Sequence, residues 1–77
     1  MRTTEELGIT LAEDVLKAIA ETGDEALVVE INKIIEASSS ALQEAFMAAV
    51  RAQRAEAKAR VFLEARLKAA RDKAAAG

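Results

Sequence analysis

Apolar residues recur along this chain at helical rather than alternating spacing. Leu11, Val15, Leu16 and Ile19 fall on one face of a helix. The segment Thr10-Leu11-Ala12-Glu13 in front of them has the form of a capping box, in which the Thr hydroxyl accepts from a free backbone N–H and the Glu returns the bond. Gly23 stands where a left-handed residue closes a helix. The pattern therefore predicts an N-terminal arm over residues 1–9 and a first helix of roughly 12 residues, a little over three turns. Asp24 is the next N-cap candidate, and Glu25 follows where a negative charge meets the positive helix end. Leu27, Val28, Ile31, Ile34 and Ile35 then make the strongest apolar stripe in the chain, predicting a second helix that ends near Ala37.

The run Ser38-Ser39-Ser40 is a cap rather than a linker, because Ser40 and Gln43 repeat the capping-box spacing. A link this short predicts antiparallel packing of the helices it joins. The alternative, one helix running straight through the serines, stays open. From Ser40 to about Ala75 nothing breaks a third helix, which at 1.5 Å per residue spans roughly 54 Å, against about 18 to 20 Å for each of the first two. Two short helices cover a third to a half of so long a partner. Val61, Phe62, Leu63 and Leu67 lie beyond that reach, and four large apolar residues together point to a contact. The fold class expected is all-α: a single domain with an acidic two-helix hairpin over residues 10–37 and a long basic helix over 40–75, its bundle completed by oligomerisation. No internal repeat is present.

Along the third helix Ala41, Ala45, Ala48, Ala52, Ala55 and Ala59 recur at alternating spacings of four and three. Such a stripe lets two helices approach closely and keeps facing a partner along its length. The competing explanation is that Ala is the best helix former and fills a surface. Leu42, Phe46, Ala49 and Val50 run beside the stripe and are expected to meet the first two helices. Gln53, Glu56 and Arg60 interrupt the apolar face. Glu56 and Arg60 are an i,i+4 pair in the favourable order, which either fixes register in an oligomer or marks where the hairpin stops.

Composition sharpens the need for a partner. The chain has 77 residues, and a domain of that size buries only about two thirds of its unfolded surface. Cys and His are both absent, which removes disulfides and the commonest metal ligands as supports. Oligomerisation or another protein remains, with a homodimer the favoured state. The first ten residues contain no apolar run of signal-peptide length, and no stretch approaches the ~20 apolar residues of a membrane span. A cytoplasmic location without membrane contact is the expectation, and surface binding to a bilayer through Phe62, Leu63 and Leu67 ranks last among the interaction readings.

Charge is divided unevenly. Residues 1–37 carry three basic and nine acidic groups, residues 38–77 eight basic and four acidic. Arg51, Arg54 and Lys58 share a helix face that Arg66 and Lys73 approach, giving a ridge able to meet nucleic-acid phosphates or an acidic partner. Interspersed Glu44, Glu56, Glu64 and Asp72 favour an ordinary solvated face, and no aromatic side chain interleaves the ridge as a stacking platform. In the other half, Glu13, Asp14, Glu21, Asp24 and Glu25 form an acidic set that could meet a basic partner, although capping already accounts for several of them.

The residues needed for chemistry are missing. Without His or Cys there is neither the usual neutral-pH acid–base group nor a zinc ligand set. The serines lack an activating partner, and Gly8, Gly23 and Gly77 are too scattered to cradle a phosphate. No catalytic residue, metal site or cofactor is expected. The reading that follows is a non-enzymatic helical module that acts by occupying a protein surface, extending to a small phage-type inhibitor or adaptor of a host nucleoprotein such as a CRISPR effector. The alternative is a nucleic-acid-binding protein using the basic ridge.

Overall fold

The structure, a computed structural model, describes residues 1–76. It contains three α-helices, α1 (Thr4–Thr22), α2 (Ala26–Ser38) and α3 (Ser40–Ala76), and no strand among the described residues. The all-α class is thus correct.

The predicted arm is not an arm. Helix α1 starts at Thr4, because the same Thr-x-x-Glu pattern occurs one full step earlier, at Thr3 to Glu6. The Thr3 hydroxyl accepts from the Glu6 N–H at 3.0 Å, and the Thr3 N–H donates to Glu6 Oε1 at 3.1 Å. Thr10 lies inside the helix, where its hydroxyl donates to the Glu6 carbonyl at 2.9 Å instead of capping anything. Gly23 does close α1, with φ 72° and its N–H donating to the Ile19 carbonyl at 2.7 Å.

At the start of α2 the Asp24 carboxylate accepts from the Ala26 N–H at 3.1 Å, two residues on, while Glu25 occupies the boundary position without a side-chain cap. Between α2 and α3 the helix is broken at one residue. Ser39 is extended (φ −157°, ψ 106°), and its hydroxyl accepts from the Leu42 N–H at 3.1 Å. Ser39 therefore caps α3 where Ser40 was expected to. The Gln43 side chain, released from a capping role, donates across to Asn32 Oδ1 on α2 at 3.0 Å.

Asn32 meets Gln43 and Glu25 meets Arg54, so α2 runs back along α3 in the opposite direction. Gly8 of α1 lies against Ala45 of α3, and Thr4 and Glu5 lie beside Ala41 and Glu44, so α1 and α3 run in the same sense. Both short helices rest on α3, and α1 makes the larger contact; α1 and α2 touch each other little. The expected hairpin is thus a pair of separate covers over one helix.

The core is small. Ala12, Val15 and Ile19 of α1, Val28 of α2, and Phe46, Ala49 and Val50 of α3 are buried, with Phe46 and Ala12 wholly inaccessible. Leu11, Leu16, Leu27, Ile31, Ile35 and Met47 pack partly against them. Every one of these α3 residues precedes Arg51. The remaining ~26 residues of α3 extend about 39 Å past the core at 1.5 Å per residue, and the molecule measures 59 × 27 × 17 Å.

Candidate interaction surface

The alanine stripe of α3 divides into a covered part and an open part. Ala45 is half-buried against Gly8, whereas Ala41, Ala48, Ala52, Ala55 and Ala59 are exposed. Ala41, Ala45, Ala48 and Ala52 form the floor of a groove of about 600 Å³ beside α1, with Thr4, Glu5, Ile9 and Glu44 on its rim. A shallower depression of about 310 Å³ continues it past Ile9, Ala52, Gln53 and Glu56. Outside Ala45 the stripe is not a buried seam within this chain. It is the base of an apolar channel whose rim carries carboxylates.

The distal half of α3 is uncovered, as the difference in helix length implies. Val61, Phe62, Leu63 and Leu67 are 69, 62, 51 and 43% exposed. They do not form one patch. At 100° per residue Leu63 continues the line of the alanine stripe, Phe62 and Leu67 lie on its two opposite flanks, and Val61 points to the other side of the helix. The Arg66 guanidinium lies over the Phe62 ring, 4.8 Å from its centroid, which shields one face of the ring and places a cation on the line of the stripe past Leu63.

The basic ridge is only partly available. Arg54 is bound to Glu25 of α2 at 3.2 Å, which ties the ridge to the short helices rather than to an outside anion. Arg51, Lys58 and Lys73 make no ion pair among the described residues. Arg60 pairs with Glu56 at 3.0 Å and Lys68 with Asp72 at 2.9 Å, both along the helix. All these groups are well exposed, where a pair stabilises by only ~0.2 to 1 kcal/mol.

The acidic set is dispersed. Glu13, Asp14 and Glu21 lie on the face of α1 opposite Ala12, Val15 and Ile19, Asp24 is occupied with its turn, and Glu25 with Arg54. The charges that border the groove are instead Glu5, Glu44 and Glu56; the sequence places Glu44 and Glu56 only among the acids interspersed with the basic ridge, and Glu56 also in its pair with Arg60. Their role is set by the placement of α1, which no local pattern encodes. Glu6, by contrast, is held below its usual carboxylate pKa by the Thr3 backbone N–H and then by the Thr3 hydroxyl, a capping effect with no bearing on the groove.

Among the described residues no group of three or more His, Cys, Asp or Glu is placed to hold a metal ion, and no helix is long and apolar enough to cross a membrane. No buried side-chain polar atom among them lacks a hydrogen-bond partner. No family model, curated protein or solved structure matches the chain.

Proposed function

We propose that this protein is a non-enzymatic helical interaction module that acts by occupying a partner's surface. One observation carries the reading: the apolar line of α3 continues, exposed, from the groove at Ala41 to Ala52 through Ala55 and Ala59 to Leu63, with Phe62 and Leu67 on its flanks, well beyond the part its own chain covers. A surface this long is what helix-in-groove recognition uses, with anchors at i, i+3, i+4 and i+7. The scarcity of core supports the same reading, since a chain with seven buried hydrophobic residues gains by burying more against another molecule. A small inhibitor or adaptor, such as one blocking a host nucleoprotein of the CRISPR-effector kind, is the narrower form of this proposal, and the cytoplasm its setting.

A photo-crosslinking residue separates this from the nucleic-acid reading. Placed at position 63 it should capture a discrete protein, whereas at position 61, on the far side of the helix, it should not. If neither position captures protein, and instead the chain binds DNA or RNA with strong salt dependence that is lost on changing Arg51, Arg54 and Lys58 to Glu, the module reading is wrong.

A further inference from the structure

We infer that the groove beside α1 receives the distal half of α3 from a second copy of this chain, with the two α3 helices antiparallel. The inference rests on the interaction-module reading and commits it to a partner. Charge decides the occupant and its direction. Residues 54–77 carry seven basic and three acidic groups, and residues 1–53 four basic and ten acidic. Side by side in parallel, two such chains set basic half against basic half. Turned antiparallel, each basic half lies on the acidic body of the other, and like-charge opposition is relieved at both ends of the contact.

The positions on α3 support a specific register. A two-fold axis passing between Ala55 and Ala59 puts Ala55 of one copy opposite Ala59 of the other, so that the helices cross where both present only methyl groups. In that register Leu67 reaches the apolar floor at Ala45 and Ala49 near Ile9, and Ala41 stands opposite Lys73. Glu44, on the groove rim, falls between Arg66 and Lys73 of the second copy. The Glu56–Arg60 pairs of both copies meet beside the axis, where their charges alternate. Overlap from Ala41 to Lys73 covers about 50 Å of helix, and a strip about 10 Å wide amounts to roughly 500 Å² per copy before α1 is counted. A stable interface needs about 800 Å² per partner, which the flank of α1 is placed to supply.

Light scattering should therefore give about twice the monomer mass, falling toward the monomer as salt rises. Leu63→Glu with Leu67→Glu should return the protein to a monomer while its helical circular dichroism is kept, because neither side chain enters the core of its own chain. Arg66→Glu with Lys73→Glu should weaken the dimer at least tenfold, and adding Glu44→Lys should restore much of the loss. Glu44 and Arg66 are about 33 Å apart along one helix, so such rescue acts only between copies. The absence of cysteine makes the direction readable: mixed copies carrying Ala41→Cys and Ala74→Cys should crosslink to each other. A monomer at every concentration, or Ala41→Cys copies crosslinking chiefly to themselves, overturns the antiparallel dimer. A monomer whose position-63 crosslinker still captures a different protein overturns the dimer alone; one that captures no protein overturns the module reading as well.

Discussion

Gly8 of α1 and Ala45 of α3 touch so closely that a Cβ on Gly8 would stand 2.7 Å from the Ala45 Cβ, 2.8 Å from the Ala45 carbonyl carbon and 2.9 Å from the Phe46 nitrogen. Two of those three atoms are backbone, so the neighbour cannot give way by a side-chain rotation. Gly8 is also one turn before Ala12, which is wholly buried, and the two small residues let α1 settle onto α3 at short range.

Gly8→Ala consequently sets two effects against each other. Removing a mid-helix glycine gains about 0.8 to 1 kcal/mol of helix propensity. Forcing the helices apart costs typically 1 to 3 kcal/mol, and here it also lifts α1 from Phe46. The net expectation is destabilisation, seen as a Tm lower by several degrees. A Tm raised by Gly8→Ala would mean that the contact between α1 and α3 is looser than described. At Gly23, with nothing within 4 Å of a Cβ, the same change acts only through its φ of 72° and should cost about 1 kcal/mol by strain.

The cap at the other end of this contact is pH-dependent in a defined direction. The Thr3 N–H holds the Glu6 carboxylate charged to lower pH than the ordinary value of 4.5. Because the folded pKa is the lower one, its contribution is complete above the unfolded value and is lost as pH falls through the folded value. The melting temperature should therefore drop on acidification below about pH 4.5, and Glu6→Gln should show less of that drop than the parent. Thr3→Ala removes the hydroxyl acceptor and should cost about 1 kcal/mol at pH 7, read from urea unfolding.

How much of this was open to reading from the chain depends on whether the signal was local. Whereas the serines allowed either a break or one continuous helix, Gly23 as a terminator, the unbroken α3 and its bare distal half follow from spacing and length alone. The start of α1 did not, because two Thr-x-x-Glu patterns compete and Gly8 reads as punctuation in a sequence. Only the approach of α3 shows that glycine there is a packing residue with a helix on both sides of it. Ser39 rather than Ser40 is the cap because the chain is extended at Ser39, while the Gln43 side chain reaches Asn32, eleven residues away. The groove rim of Glu5 and Glu44 likewise exists only once α1 lies on α3, and a periodicity argument within one helix cannot supply it.

The Asn32–Gln43 bond is the side-chain hydrogen bond that joins α2 to α3 near their shared end, and it is half-buried. Either single change to Ala leaves a polar group without its partner, and should cost about 1 to 2 kcal/mol. The double change should cost less than the two single changes together, with a coupling of about 0.5 to 1.5 kcal/mol. Additive losses would show that the two amides do not interact in solution.

The two halves of α3 should respond differently to truncation of one large side chain. Phe46 is wholly buried among α1, α2 and α3, so Phe46→Ala removes the largest buried side chain and should cost about 3 to 5 kcal/mol. In a domain this small that loss leaves little folded protein at 25 °C. Leu67 is 43% exposed and touches no other helix of its own chain, so in dilute solution Leu67→Ala should change stability by no more than about 0.5 kcal/mol. As concentration rises the parent should gain stability by mass action while Leu67→Ala gains less, because the deleted contact belongs to the second copy. Thermal unfolding of both variants and the parent across a hundredfold range of concentration measures this directly. Curves for Leu67→Ala that track the parent throughout would place Leu67 outside any interface this protein makes with itself.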